Sequence, residues 1–194
     1  MNTILRPAEA KLVRERSRFL AAALPVTTAE EVEEALRRLR REHHAARHIP
    51  YAYRLRSGEG RGNDDGEPAG SAGKPILSLL ENEELGDVLV AVVRYFGGVK
   101  LGVGGLARAY RDAARAALVA AGVRPLIPAT RLLVIAEPGA VGALLALARK
   151  HDGRILSQRF SDRAEIELVL PEANAPLFQA AAFLWGEVRE VSDG

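Results

Sequence analysis

The chain contains no cysteine. That absence excludes disulfides, thiolate zinc sites and cysteine nucleophiles together. Four histidines are all that remain for imidazole ligation or proton transfer. Methionine and tryptophan occur once each, asparagine and glutamine are sparse, and most basic residues are arginine. Such a composition fits a thermophile or a GC-rich genome. Long apolar runs are missing too, with nothing near the roughly 20 residues that a membrane span needs. The opening "MNTILRPAEAKLVRERSRFL" lacks the apolar core of a signal peptide. The expectation is a soluble, cytoplasmic protein with no membrane partner. An excess of one charge is also absent, since 27 Lys+Arg against 25 Asp+Glu leave +2. Basic residues outnumber acidic ones over 1–127, and the reverse holds over 128–194. The basic bias of the first part permits contact with nucleic acid without requiring it.

What is present is a chain of 194 residues, 48% hydrophobic, enough for one large domain or two small ones. "KLVRERSRFLAAALPV" reads as extended around Val13, Phe19 and Leu24. "TTAEEVEEALRRLRREHHAARH" opens a helix in which Thr28 and Glu31 have capping-box spacing. Val32, Ala35, Leu36, Leu39, His43 and Ala46 form its apolar stripe, flanked by Arg37, Arg38, Arg40 and Arg41. "IPYAYRL" reads as a strand, and "RSGEGRGNDDGEPAGSAGK" as a long polar loop of the kind that carries function or mobility. Pro75 suits the first position of a short helix, "PILSLLENEEL". "DVLVAVVRYF" reads as a central strand buried on both faces. Leu106, Ala109, Tyr110, Ala113, Ala117 and Leu118 then give a helix that Gly122 ends. "RPLIPAT", with two prolines, marks a domain boundary.

Beyond that boundary come strand "RLLVIAEP", helix "GAVGALLALARKHDG", strands "RILSQRFS" and "AEIELVLP", helix "APLFQAAAFLWG" and strand "EVREVS". This βαββαβ order is the ferredoxin-like pattern. The expected fold class is α+β, in two domains spanning residues 1–127 and 128–194.

"RYFGGVKLGVGGLARAYRDAARAAL", from Arg94 to Leu118, joins the central strand to its helix. It is not a P-loop, because GxxxxGK[ST] is absent. Gly102, Gly104 and Ala107 imitate a dinucleotide fingerprint, but no acidic residue follows at the end of the next strand. What survives is general chemistry. Glycines admit positive φ and close approach of another surface. A helix beginning near Gly105 presents unpaired N–H groups and partial positive charge. Gly97, Gly98, Gly102, Gly104 and Gly105, with Arg94, Tyr95, Lys100, Arg108 and Arg111, would then accept phosphate on RNA or carboxylate on a protein. The same residues also read as a tight strand-to-helix turn with solvated arginines.

"NDDGEPAGSAGKP" is the second candidate. Asp64, Asp65 and Glu67 could hold Mg²⁺ through oxygen, or could be turn chemistry of the Asp-Gly kind. Its end delivers a second helix start, hence a second anion contact. His48, just before a strand, is either a general base or a residue that orders its loop. Tyr51/Tyr53 and Tyr95/Phe96 could stack bases or simply pack.

"DDGEPAGSAGKPIL" followed by "VVRYFGGVKLGVGGLARAY" resembles the two motifs of the IMPACT family, with "SRF" and "HIPYAYRL" as weaker blocks. The matching positions are Asp64, Asp65, Gly66, Glu67, Pro68, Gly70, Ala72 and Gly73, then Arg94 to Gly98, Lys100 to Gly102, Gly104 to Leu106 and Arg108 to Tyr110. Ser71 stands where the family usually has threonine, and Pro50 where many members have cysteine. The resemblance implies an N-terminal domain like a small-subunit ribosomal protein and domain IV of elongation factor G. It also implies a ferredoxin-like C-terminal domain like domain V of that factor. Eukaryotic members modulate translation initiation by competing for an activator of a stress-responsive kinase, and they carry an extra N-terminal domain with no expected counterpart here. For bacterial members it implies nucleic-acid or ribosome binding.

The resulting expectation is a non-enzymatic, translation-associated protein that contacts RNA or the ribosome around Lys100, Arg108 and Arg111. The acidic loop would brace the glycine loop through Arg94 or Arg108, with His48 and Ser71 in support, and no cofactor is needed. One alternative is an enzyme acting on a phosphorylated or peptide-like substrate, with Mg²⁺ on Asp64, Asp65 and Glu67 and His48 as base. Another is a protein-only regulator whose partner carries an acidic patch.

Overall fold

In a computed structural model, which describes residues 1–191, the chain separates into two units, the first ending at Leu126 and the second beginning at Ile127. The first unit runs β1 (Asn2–Ile4), β2 (Ala8–Arg14), β3 (Ser17–Pro25), α1 (Ala29–Glu42), β4 (Tyr51–Arg54), β5 (Gly60–Asn63), α2 (Gly73–Asn82), β6 (Val88–Tyr95), α3 (Gly102–Ala121) and β7 (Val123–Pro125). Five of these strands form one sheet in the order β2-β3-β6-β4-β5, and β1 pairs with β7. All the pairings are antiparallel.

The apolar run at β6 sits at the middle of the sheet because both faces are covered. Val88, Val90 and Val92 pack with α2 and α3, while Leu89, Ala91 and Val93 pack on the α1 side. This period of two is what a pleated strand imposes. Helix α3 presents Leu106, Ala109, Tyr110, Ala113, Ala117 and Leu118 to the first of these cores. Gly122, at φ 68°, ends it. Among the described residues no helix is long and apolar enough to cross a membrane.

Several local expectations shift. The opening extended stretch is a β2–β3 hairpin that turns at Glu15 and Arg16, with φ of 44° and 64° and no glycine to signal it. Thr28 accepts from the Glu31 N–H, but the Glu31 carboxylate takes the Thr27 N–H, so the capping box closes one residue early. Helix α1 stops at Glu42, leaving Ala46 beyond it. The long polar loop contains β5, an edge strand of glycine and polar residues that propensity does not mark. A Cβ on Gly73 would lie 2.3 Å from the Asn63 nitrogen, so backbone packs against backbone there and glycine is required. Helix α2 begins at Gly73, so Pro75 occupies its third position, where the missing N–H is equally harmless.

The second unit runs β8 (Ala129–Ala136), α4 (Val141–Lys150), β9 (Arg154–Phe160), β10 (Ala164–Pro171), α5 (Ala175–Ala182) and β11 (Gly186–Glu190). Its sheet has the order β11-β8-β10-β9, antiparallel throughout. Ala164, Ile166, Leu168 and Leu170 alternate inward along β10, and the last three meet Leu144, Ala148 and Phe178 of the helices. Ser192, the end of the last expected strand, lies outside the described residues. The protein is α+β, with a five-stranded sheet in one unit and a four-stranded sheet in the other.

Candidate functional site

Two sequence-distant motifs meet at the end of β6. Arg94 Nη1 donates to both Glu67 oxygens at 2.7 and 3.0 Å, and the Tyr110 hydroxyl donates to Glu67 Oε1 at 2.7 Å. The side chains of Glu67 and Arg94 are only 3% and 10% exposed, and Tyr110 is fully buried. Burial and donation to the Glu67 carboxylate push the Tyr110 pKa far up, so the phenol keeps its proton. The Arg94 guanidinium lies between the Phe19 and Phe96 rings, 5.7 and 5.4 Å from their centroids. Phe19 also meets Tyr110 edge-on at 5.1 Å. The brace joining the acidic loop to the glycine turn is therefore Arg94, not Arg108. Arg94 is a buried anchor rather than an open cation.

The other two acids serve different places. Asp64 accepts the N–H groups of Gly70, Ala72 and Gly73 at 2.7, 2.9 and 2.8 Å. It thus occupies the start of α2 as that helix's anion, so the second anion contact expected there is already filled from within the chain. Asp65 accepts from Arg40 and from the Ile49 N–H, each at 2.7 Å, and its carbonyl pairs with His48 Nδ1 at 2.7 Å. Among the described residues no three His, Asp or Glu side chains converge as a metal would require. His48 is held beside Arg94 by a backbone bridge, and its ring ties to the acidic loop at the Asp65 carbonyl. Ser71 is fully buried and its hydroxyl has no partner among the described residues.

Burial pushes the Asp64 pKa up, but the N–H groups of Gly70, Gly73 and Ala72 outweigh it, and the net value lies below the ordinary 3.8. A depressed folded pKa stabilises the fold where the group is charged in both states, and that contribution is lost as pH falls through the folded value. Asp64→Asn should therefore lower the urea midpoint by a constant amount from pH 7 to about 5, with the gap to wild type closing below the unfolded pKa. A gap independent of pH down to acid unfolding would contradict this role.

The turn itself is tight and open. Gly97 donates its N–H to the buried Ser17 hydroxyl at 3.1 Å, and a Cβ there would lie 2.0 Å from the Arg16 carbonyl carbon. Gly98 and Gly102 have φ of 88° and 69° with free space around them. Helix α3 starts at Gly102 rather than near Gly105, so Gly104 and Gly105 lie inside its first turn. Lys100, Arg108 and Arg111 are exposed and have no ion pair among the described residues. Lys100 and Arg108 line one groove with Arg14, Glu15 and Asp112. A separate cleft on the other side of Lys100 is lined by Arg94, His48, Phe96 and the start of α3. Tyr95 is packed, with its hydroxyl 3.0 Å from His43 Nδ1 and Arg18 over its ring. Tyr53 is buried, donates to Glu59 and has its pKa pushed up to about 12, so of the four aromatics Phe96 is the one that stands mostly exposed. Nothing in composition or spacing places Ser17, the first residue of the "SRF" block, under Gly97.

The family model described as Impact N-terminal domain matches residues 15–118, a span that holds all of these side chains but Arg14. The chain belongs to the IMPACT family. It is 32% identical over 187 residues to IMPACT family member YigZ of Escherichia coli (strain K12), covering 93% of this chain and 92% of that protein. IMPACT family member YvyE of Bacillus subtilis (strain 168) is 41% identical over 110 residues, 56% of this chain and 51% of that protein. A crystal structure of a hypothetical protein superposes with a TM-score of 0.69 at 29% identity, covering 100% of this chain and 97% of the other. In this IMPACT family chain the two motifs are two sides of one contact. Glu67 of the first meets Arg94 and Tyr110 of the second.

Proposed function

We propose that the protein is a cytoplasmic, translation-associated binding protein that contacts RNA or the ribosome through the glycine turn. The observation that carries this reading is exposed Lys100 and Arg108, without an ion pair among the described residues, in one groove that reaches Gly105 in the first turn of a 20-residue helix. Glycine there lets phosphate approach the backbone, and the helix end adds partial positive charge. Arg111, one turn along, extends the basic face. Asp112 balances Arg14 at 3.5 Å, and with Glu15 also in the lining Lys100 and Arg108 leave the groove a net positive charge. The second unit supports the same reading by architecture. We read its βαββαβ order, with the first strand between the fourth and third, as a ferredoxin-like domain like domain V of elongation factor G, an analogy of fold. The first unit is read as the fold of domain IV and of a small-subunit ribosomal protein, an analogy of fold.

Phosphate contacts release counterions, so binding should weaken with salt. Co-sedimentation with ribosomes across a salt series is the test. The combination Lys100→Ala with Arg108→Ala should lower affinity and flatten the log–log salt slope by about 1.5, one increment per lost contact. Both positions are exposed, so stability should change by no more than about 0.5 kcal/mol. No binding at low salt, or an unchanged slope, removes this proposal. Capture of a protein that survives nuclease treatment would favour a partner with an acidic patch instead.

A further inference from the structure

The cleft on the other side of Lys100 has chemistry of its own. It encloses about 490 Å³, within the range of small-molecule sites. Its walls are apolar: Pro68, Phe96, Leu101, Val103 and Leu106. Phe96 is 60% exposed and is backed by the Arg94 guanidinium, a flat surface offered for stacking. Against these walls stand cations without matching anions. Arg47 and Lys100 are exposed at the cleft and have no ion pair among the described residues. Glu67 is the one acid in the lining, and both its oxygens are occupied by Arg94 and Tyr110.

Two further features point to an anion. Helix α3 begins in this cleft with Gly102 and Val103, has no acidic residue in its first turn and has no side-chain cap. Its positive end is therefore unanswered within the chain. Arg94 lines the same cleft with its side chain nine-tenths buried, and its Nε has no hydrogen-bond partner among the described residues. A bare inorganic anion would satisfy the charges but leave the apolar walls wet. A nucleobase would bring polar edges to walls with few free partners.

We propose that this cleft binds a small amphipathic anion, a carboxylate or phosphate carried on a flat apolar body. The body lies against Phe96 and Leu106. The anionic group meets Lys100, Arg47 and the first N–H groups of α3. Such a group could arrive as a free small molecule or as the last residue of a peptide, since both present the same chemistry. The inference does not rest on RNA binding; the two sites share Lys100, and Arg108 lines only the groove of the RNA reading.

Calorimetric titration of the full chain with phenyl phosphate, 3-phenylpropionate and inorganic phosphate tests it. The two aromatic anions should bind with dissociation constants of about 1 mM or tighter, and inorganic phosphate at least about tenfold more weakly. Val103 is 56% exposed, and a carboxylate in a first helical turn suits the helix dipole, so Val103→Glu should fold normally. It should nonetheless lose at least about tenfold in affinity, because its own carboxylate takes the ligand's place. Arg108→Ala should leave this affinity unchanged, which separates the result from any failure of the RNA reading. A peptide ending in phenylalanine, compared with its amide, assigns the source. Binding of the acid about tenfold tighter than 3-phenylpropionate points to a chain end, and equal or weaker binding to a free small molecule. No saturable binding of either aromatic anion overturns the proposal. So does equal affinity for inorganic and phenyl phosphate, or unchanged affinity in Val103→Glu.

Discussion

Glu67→Ala is expected to destabilise the protein by about 3–5 kcal/mol, the range for breaking a buried ion pair from one side. For a chain of this size that is a fall in Tm of about 10 °C. The reason is what the substitution leaves behind. Arg94 would remain nine-tenths buried with no counter-charge, and the fully buried Tyr110 hydroxyl would lose its acceptor. Among the described residues the Arg94 Nε lacks a partner, so beyond the Phe19 and Phe96 rings the guanidinium has little to hold it. Replacing both charges, as in Glu67→Leu with Arg94→Met, should recover most of the loss, because neither desolvated charge then remains. Denaturant midpoints of the two single variants and the double variant form a cycle that reads the coupling directly. A loss below about 1 kcal/mol in Glu67→Ala would show that the pair is not the brace described here.

Gly97→Ala should be as damaging for a different reason. The added carbon would meet the Arg16 carbonyl carbon at 2.0 Å, its oxygen at 2.2 Å and the Ser17 nitrogen at 2.4 Å. These are backbone atoms of the β2–β3 turn, so no side chain can swing aside. Overpacking in cores usually costs about 1–3 kcal/mol, and a collision with main chain should reach or exceed the top of that range. The Ser17 bond to the Gly97 N–H would part as well. Gly104→Ala is the contrast. The nearest contact of its added carbon is Arg108 Nη1 at 3.7 Å, and the position is helical. It should stabilise the chain by about 0.5–1 kcal/mol. Should Gly104→Ala keep its stability and lose RNA affinity, close approach of a ligand to the backbone is the direct explanation. Equal stability of Gly97→Ala and wild type would overturn the packing argument.

The difference between these glycines shows where reading a sequence stops. The stretch from Arg94 to Leu118 advertises flexibility at five glycines, and it is right that the backbone turns there. Which glycine answers to crowding, which to positive φ and which merely begins a helix depends on neighbours far away in the chain. Gly97 is crowded by residue 16, Gly73 by residue 63, and Gly104 by nothing. The acidic motif behaves the same way. Asp64, Asp65 and Glu67 look alike as a cluster of possible metal ligands. In the fold they turn to α2, to Arg40 with Ile49, and to Arg94 with Tyr110. Strand β5 and the Glu15–Arg16 turn were hidden because edge pairing and hairpin closure are satisfied by partners rather than by their own residue preferences.

Local chemistry carried in the chain determined a good deal by itself. The alternation of β6, the apolar face of α3, the glycine that ends it and the βαββαβ order of the second unit all follow from interactions over a few residues. Periodicity and caps express those interactions directly. The pairing of Glu67 with Arg94, the shelter of Tyr110, the filling of the α2 end by Asp64 and the separation of a basic groove from an apolar cleft were decided in three dimensions. Burial and the loss of water act between groups that are distant in sequence, and only the folded arrangement says which charge is answered and which is left open.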